Sequence, residues 1–378
     1  MSSSLLTALQ ASPTRLDLDC NDAAFGRAFS ASLASSASSA RVFCDMTSNS
    51  LLVLAEIAAA DGARVPLLEE SVRTAKALLQ GKLQGGEKVL SFGLDGLDDD
   101  EKLQWLAVDV MTVSLGLQVL PHLQPRGMLH AQIACSLGTA SAIEAHARRL
   151  SALYILLSRG NVSHERICIK IPSTLAGLEA CARLEKDGIR TLATTCFSLE
   201  QALAADSDVA PYINALEAHF YEVEKPSVRR HADTSEALAI VARLQRALRR
   251  RQSRTEVVSA SFLSLTEVFS LLGVDTMTLS RGVLTLLRDT PASDELVALG
   301  RASERRMDPA SLSADAAQAE ADEDTKAATP EALAAALSSE RCAYLVADAL
   351  ARFTKAEEML RALVRAEVAR GPAAGDRA

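Results

Sequence analysis

The sequence lacks most of the patterns that mark secreted, membrane and zinc-binding proteins. We find no apolar run of the roughly 20 residues that a membrane span needs. The seven cysteines are odd in number and form no CxxC pair, so neither zinc spacing nor a disulfide framework is predicted. The first residues, MSSSLLTALQASP, have no charged segment followed by an apolar one, which argues against a secretory signal. We therefore expect a cytoplasmic protein with reduced, buried thiols.

Motifs for metals, nucleotides and nucleic acids are also missing. The six histidines form no HxH or HExxH pair, and no GxxxxGK or GxGxxG motif occurs, so we expect no metal and no other cofactor. Aromatic residues make up only 4% of the chain. The net charge of −8 disfavours a nucleic-acid partner, because the phosphate backbone would be repelled.

Short β-like runs alternate with longer helical patterns, which is typical of a parallel α/β architecture. The predicted strands are residues 15–19, 41–45, 128–133, 167–171, 191–195, 209–212, 257–262 and 276–279. Between the second and third runs, apolar residues recur at steps of three and four over 103–120, which predicts a long helix. Eight strands with intervening helices predict a (β/α)₈ TIM barrel with an additional C-terminal helix.

The pattern changes after about residue 290. We predict a barrel over residues 1–295 and a loose surface excursion over 296–337, since Ala, Asp, Glu and Ser are abundant over 308–337. An amphipathic helix packed on the barrel should span 338–370, and residues 371–378 should form a disordered tail. The arginine-rich segment 243–254 is interpreted as a solvated helix face.

The strongest chemical signal is Lys170, in the middle of the apolar run Ile-Cys-Ile-Lys-Ile-Pro. Lysine is seldom buried without a purpose. Alternation along a strand places Lys170 on the same face as Cys168, which in a barrel is the interior. Desolvation there disfavours an ammonium ion, and the neutral amine is the form that attacks a carbonyl. The alternative is a lysine at a strand end that reaches water.

The first predicted strand supports a polar interior. Asp17 and Asp19 share one face of it, and an inward carboxylate near such a lysine can move protons during carbon–carbon cleavage. The alternative is an edge strand with solvated charges. Thr194, Ser259 and Ser261 add hydroxyl groups at strand positions that can orient a polyol or a water molecule.

Four segments are informative as a set: RLDLDCND, DMTSNSLL, ICIKIPSTLAGLEACARLEKDGIRTLATTCFS and SASFLSLTEVFSLLGVDTMTLS. Together they resemble the transaldolase family. In chain order they are similar to the family's first strand, second strand, fourth and fifth strands, and seventh and eighth strands. The set covers most of residues 14–290, and it is specific as a set although no single segment is.

The resemblance implies a role for each matching residue. Lys170 matches the Schiff-base lysine and Asp19 the acid/base aspartate. Asn49 matches the asparagine that binds substrate hydroxyl groups. Thr194 matches the threonine that holds the catalytic water, and Ser261 a phosphate-site serine. The implied reaction cleaves a ketose and leaves a dihydroxyacetone unit on Lys170, which is then passed to an aldehyde.

The sequence also departs from the family pattern. Gln132 stands where most members have a glutamate, and Tyr212 lies in the degenerate sixth-strand motif. Both resemble the fructose 6-phosphate aldolase branch, where a tyrosine beside the water favours release over transfer. Ala215 and Leu263 occupy the positions of the family's phosphate-binding arginines. Arg281, after the eighth predicted strand, is the candidate replacement for their charge.

Three functions therefore stay open from the sequence. The first is a transaldolase or related aldolase of carbohydrate metabolism, including the pentose phosphate pathway, acting on a sugar or sugar phosphate. The second is an aldolase for an unphosphorylated or unusual substrate. The third is a barrel without catalysis that serves as a binding protein. We expect no nucleic-acid or membrane partner, and a homodimer is left open.

Overall fold

A computed structural model describes residues 4–33, 42–58, 65–205, 207–220 and 234–370, in which strands and helices alternate. The eight strands of this part of the chain are β1 (Arg15–Asp19), β2 (Met46–Thr47), β3 (Leu129–Gln132), β4 (Ile167–Pro172), β5 (Arg190–Cys196), β6 (Asp208–Pro211), β7 (Val258–Ser259) and β8 (Thr276–Ser280). The predicted tail over 371–378 lies outside the described residues.

Sixteen α-helices are found in the same ranges. They are α1 (Leu5–Gln10), α2 (Ala23–Leu33), α3 (Ser50–Ile57), α4 (Val65–Leu79), α5 (Gly86–Leu90), α6 (Asp99–Val119), α7 (Ala140–Leu157), α8 (Leu175–Lys186), α9 (Leu199–Ala204), α10 (Ser235–Arg250), α11 (Leu265–Phe269), α12 (Arg281–Asp289), α13 (Asp294–Arg306), α14 (Ala314–Ala327), α15 (Pro330–Ser338) and α16 (Glu340–Arg370).

All strand pairs are parallel, in the order β6-β5-β4-β3-β2-β1-β8-β7. Two further parallel bridges, Val209 with Val257 and Tyr212 with Ala260, join the segments of β6 and β7. These bridges bring the two ends of the sheet together, so the strands form a barrel with the helices outside. The predicted (β/α)₈ TIM barrel is thereby confirmed.

Seven of the predicted strands coincide with observed ones, and the second is misplaced. We predicted 41–45, whereas β2 is Met46–Thr47. Phe43 belongs to the fully buried core, which explains the apolar pattern there. Asp45 instead has a structural role, since its carboxylate accepts a hydrogen bond from the backbone N–H of Met128 at 2.7 Å.

Alternation along the strands separates two apolar layers. In β4, Ile167, Ile169 and Ile171 join the main core between the barrel and its helices. Cys168 instead joins a small separate cluster. The members of this cluster are Met128, Cys168, Leu192, Ala210 and Val258. Because Lys170 lies two residues after Cys168, it shares the face that points into the barrel.

The segment predicted as a loose excursion is helical, and the arginine cluster is not a solvated face. Arg243 and Arg250 of α10 donate hydrogen bonds to the buried carboxylate of Asp324 in α14, at 2.8 and 2.6 Å. Arg246 pairs with Glu320 of the same helix. These ion pairs hold α14 against α10. Composition alone suggested disorder because the acidic partners of the arginines are about 75 residues away in sequence.

Helix α6 corrects the expectation that no apolar segment has membrane length. By length and composition alone, Asp99–His122 is long and apolar enough to cross a membrane. In the structure 56% of its most apolar window is buried inside the protein. Helices α4, α7 and α16 pack against α6, which fits a core helix.

The C-terminal helix α16 has 31 residues and crosses the end of the barrel where the carboxyl ends of the strands lie. Phe353 and Ala349 pack with Cys135, which follows β3. Ser50, after β2, donates a hydrogen bond to the carbonyl of Phe353 at 2.9 Å. Asp348 accepts one from the backbone N–H of Glu217, beyond β6, at 3.1 Å. The helix thus ties several connecting loops to one another.

Candidate active site

Lys170 lies in the interior of the barrel, in the second half of β4. Its side chain is only 2% exposed, and the structure shows no hydrogen bond or ion pair from it to any described residue. Its register partners are Gln132 of β3 and Leu192 of β5. A lysine side chain enclosed in a barrel without an ionic partner is unfavourable for folding.

The end of β4 is held tightly. Ser173 donates from its backbone N–H and from its hydroxyl to the carbonyl of Thr194, at 2.7 and 2.8 Å. Thr174 caps α8, since its hydroxyl oxygen accepts from the N–H of Gly177 at 3.0 Å. Gly177 packs directly on the strand end, and a Cβ there would lie 2.0 Å from the carbonyl oxygen of Pro172. The backbone around Lys170 is therefore well fixed.

Gln132 lies beside Lys170 and has one free polar atom. Its Nε2 donates to the Sγ of Cys135 at 3.2 Å, while its Oε1 is buried without a partner among the described residues. Burial and then the charge of Glu357 raise the pKa of the Cys135 thiol. The thiol therefore stays protonated, and the free Oε1 of Gln132 can accept a hydrogen bond from a ligand or a water molecule.

Thr194 and Tyr212 come together on the other side of Lys170. The hydroxyl of Thr194 donates to the phenolic oxygen of Tyr212 at 3.3 Å. Both side chains are buried, and the ring of Phe197 packs edge-on against the tyrosine ring. Thr195, the next residue, has a φ of +53°, a strained value for a β-branched residue. This geometry places two hydroxyl groups where a water molecule can be bound.

The carboxylate of Asp19 is oriented by two threonines. Thr47 of β2 donates to its Oδ1 at 2.7 Å, and the hydroxyl of Thr278 lies 2.6 Å from that of Thr47. The hydroxyl of Thr47 therefore contacts both Asp19 of β1 and Thr278 of β8. Asp19 is half-buried, so one carboxylate oxygen can still meet a ligand.

Asp17, Asp45 and His130 form a buried network lower in the barrel. Burial and the neighbouring Asp45 raise the pKa of Asp17 well above its usual range. The pKa of Asp45 is shifted in the other direction. Burial acts to raise it, but the hydrogen bond from His130, at 3.1 Å, and the charge of His130 lower it below the usual value. His130 is therefore a hydrogen-bonded interior histidine.

Asn49 and Ser261 are both partly engaged by the fold. The Oδ1 of Asn49 caps α3 by accepting from the N–H of Leu52 at 3.0 Å, which leaves its NH₂ group for a ligand. Ser261 has a φ of +67° and donates from its hydroxyl to the carbonyl of Asn214 at 2.8 Å. Asn49 follows β2 and Ser261 follows β7, so both residues lie at the carboxyl ends of the strands.

His219 is a site residue that the sequence analysis did not single out. Its Nε2 lies 2.8 Å from the hydroxyl of Ser261. Although part of the ring is accessible, the surrounding protein lowers the pKa of His219 through desolvation, and the carboxylates of Asp19 and Glu267 oppose that shift. No motif surrounds His219 in the sequence; only its position shortly after β6 places it near the barrel mouth.

Arg281 is the first residue of α12, and its side chain is 60% exposed. The guanidinium lies 3.3 Å from a carboxylate oxygen of Asp22 and 5.0 Å from the centre of the Phe25 ring. The structure therefore places this charge at the rim, away from the hydrogen bonds that join the other predicted residues. Within the described residues, no group of three or more His, Cys, Asp or Glu side chains is arranged to hold a metal ion.

Comparison with known proteins gives a consistent result. The family model described as Transaldolase/Fructose-6-phosphate aldolase matches residues 30–361. A transaldolase of Synechocystis sp. is 28% identical over 326 residues, 85% of this chain and 73% of that protein. A transaldolase of Methylococcus capsulatus is 31% identical over 49% of this chain and 56% of that protein. A transaldolase of Glaesserella parasuis serovar 5 is 29% identical over 66% of this chain and 72% of that protein.

Proposed function

Because the chain belongs to the transaldolase/fructose-6-phosphate aldolase family, we propose that it is a Schiff-base aldolase or transaldolase acting on a ketose or ketose phosphate in the cytoplasm. The observation that carries this proposal is the buried side chain of Lys170, whose amine makes no hydrogen bond or ion pair to a described residue. A barrel without catalysis would gain stability by replacing such a group, so the third function open from the sequence is disfavoured.

In the first half of the proposed reaction, the amine of Lys170 adds to the ketone carbon, and loss of water gives a protonated Schiff base. The carboxylate of Asp19 then accepts the proton of the hydroxyl group on the carbon that will become the aldehyde. The adjoining carbon–carbon bond then breaks and the aldehyde leaves. The electron pair of the broken bond stays with the three-carbon unit, which remains on Lys170 as an enamine. The hydrogen bond from Thr47 supports this role by fixing the direction of the carboxylate.

In the second half, the enamine carbon either adds to a new aldehyde or takes up a proton. Thr194 and Tyr212 are proposed to bind the water that delivers this proton, since their hydroxyl groups lie 3.3 Å apart. The free Oε1 of Gln132 is proposed to accept a hydrogen bond from the same water. Addition of water to the Schiff base then regenerates the amine and releases dihydroxyacetone after protonation, or the new ketose after addition to an aldehyde. Asn49 is proposed to hold the substrate hydroxyl groups.

The second candidate function, an aldolase for an unphosphorylated substrate, depends on whether the site binds a phosphate group. An unphosphorylated ketose is favoured by the engagement of Arg281 with Asp22 and by the exposed Leu263 near the barrel mouth. We propose Arg281 and Ser261 as the groups that would bind a phosphate. Arg281→Ala should then raise KM for a phosphorylated donor and leave KM for its unphosphorylated counterpart unchanged. An equal effect on both donors would remove Arg281 from the site.

Intact-mass measurement after borohydride reduction tests the whole proposal. The protein is incubated with fructose 6-phosphate or with dihydroxyacetone, and a three-carbon adduct is expected. Lys170→Ala should abolish the adduct, whereas Lys186→Ala, which removes an exposed lysine from the helix that follows β4, should retain it. A folded wild-type protein that forms no adduct with either donor would contradict the proposed function.

A further inference from the structure

The turn after β3 is fixed by an unusual run of hydrogen bonds. Three successive backbone N–H groups each donate to a buried side chain. The N–H of Ala134 donates to Nδ1 of His146 at 3.0 Å, and that of Cys135 donates to Oε1 of Glu357 at 2.6 Å. The other carboxylate oxygen of Glu357 accepts from Ser136, at 3.0 Å from the hydroxyl and 3.4 Å from the N–H. The turn is therefore held from two helices, α7 and α16.

Glu357 is the more telling of the two partners. It lies on α16, more than 200 residues beyond the turn, yet it is only 4% exposed. Burial raises the pKa of its carboxyl group, while the hydrogen bonds from Cys135 and Ser136 oppose the shift. A buried carboxylate is unfavourable unless several donors meet it. All the donors that meet this one within the described residues belong to a single turn.

That turn is linked directly to the proposed site. The Sγ of Cys135 accepts the hydrogen bond from Nε2 of Gln132, and this contact decides which end of the carboxamide remains free. The N–H of Ile133, between them, donates to the carbonyl of Lys170 at 3.0 Å. Gln132, Asn49 and Glu357 also line one small cavity. A shift of the turn would therefore move the Gln132 carboxamide relative to Lys170.

We propose that Glu357 is a positioning residue for the reaction: by holding Cys135 it directs the free oxygen of Gln132 toward the proton-delivering water. This role rests on the proposed function, and it concerns only the second half of the reaction. Schiff-base formation, which requires Lys170, should not depend on it. Misplacing a reacting group by about 1 Å can slow a step about 10²-fold, so loss of Glu357 should have a large kinetic effect.

Two readouts separate the halves of the reaction. Borohydride trapping with dihydroxyacetone reports Schiff-base formation, and exchange of the carbon-bound hydrogens of dihydroxyacetone for deuterium in heavy water, followed by NMR, reports proton return to the enamine. The variants are Glu357→Gln, Gln132→Leu, the double variant, and Cys135→Ala, which keeps the backbone bonds but removes the thiol. Glu358→Gln, at an exposed position of the same helix, is the matched control.

We expect Glu357→Gln to give the wild-type adduct yield and at least about tenfold slower exchange. Cys135→Ala should slow exchange as well. The double variant should match Gln132→Leu within about twofold, because both changes act through one carboxamide. Three outcomes would overturn the positioning role. The first is a double variant in which the two effects multiply. The others are wild-type exchange in Glu357→Gln or Cys135→Ala, and equal losses of adduct and of exchange. A wild-type protein without any adduct would overturn the proposed function and this role with it.

Discussion

Replacing Lys170 by methionine should make the protein more stable and inactive at the same time. Methionine has a similar length and no polar group that needs a partner. A polar group buried without a hydrogen bond destabilises a protein by about 1–3 kcal/mol, and the structure gives Lys170 no partner among the described residues. The unfolding entropy of about 2.1 cal/mol/K per residue amounts to about 0.8 kcal/mol/K for a chain of this length. The expected rise in Tm is therefore about 1–4 °C.

Differential scanning calorimetry of three variants measures this. Lys170→Met should melt above the wild type, and Lys170→Ala should melt below Lys170→Met because it also loses the packing of the side-chain stem. Lys186→Met, on the exposed end of α8, should not change Tm. A lower Tm for Lys170→Met would mean that the amine stabilises the barrel, and the argument that it is retained for chemistry would fail.

Three further predictions concern stability. The raised pKa of Asp17 means that the folded protein keeps the proton of this carboxyl group to a higher pH than the unfolded chain does. The free energy of unfolding should therefore fall as the pH rises above the usual pKa of 3.8. Asp17→Asn does not titrate, so the amount by which its Tm exceeds that of the wild type should grow with pH. Asp324→Ala should lower the free energy of unfolding in urea by about 1–3 kcal/mol, because it removes a buried carboxylate that accepts charge-assisted hydrogen bonds from Arg243 and Arg250, each of which keeps one other carboxylate partner. Gly177→Ala should lower both Tm and adduct formation, because its Cβ would collide with the carbonyl of Pro172.

Matched substitutions check each of these. Asp322→Ala, on the same helix as Asp324 but exposed, should be nearly neutral in urea. Gly138→Ala places its Cβ in open space and should leave Tm and adduct formation unchanged. For Asp17→Asn, a Tm difference from wild type that is constant from about pH 4 to about pH 8 would contradict the assignment of a proton to the buried carboxyl.

Local patterns in the sequence were enough to predict most of the barrel. The apolar run around Lys170 predicted β4, and the alternation with Cys168 predicted the inward face. The ends of the following helix also carry local signals: Thr174 caps α8, and Gly188 follows it with a φ of +77°. These signals work because period, capping and left-handed glycine are properties of neighbouring residues.

Features that depend on distant partners could not be predicted. The segment before β2 looked like a strand because Phe43 is apolar, but its packing is set by the helices outside the barrel. The arginines of α10 looked solvated because their partners lie in a segment whose composition suggested disorder. Glu357 lies four residues after Phe353 and three before Leu360, so the helical period places it on the buried face, but nothing local shows which groups its carboxylate meets there. The roles proposed for the predicted site residues stay predictions.

The path of α16 across the barrel mouth has a consequence for synthesis. A ribosome extends a chain from its N-terminus at roughly 5–20 residues per second, and domains can begin to fold as they emerge. All eight strands precede residue 281, whereas the carboxylate that holds the turn after β3 comes from residue 357. A nascent chain can thus close its barrel many seconds before that turn is fixed. Lys170 would be enclosed early, but a chain released before α16 would leave the wall around Gln132 unfinished.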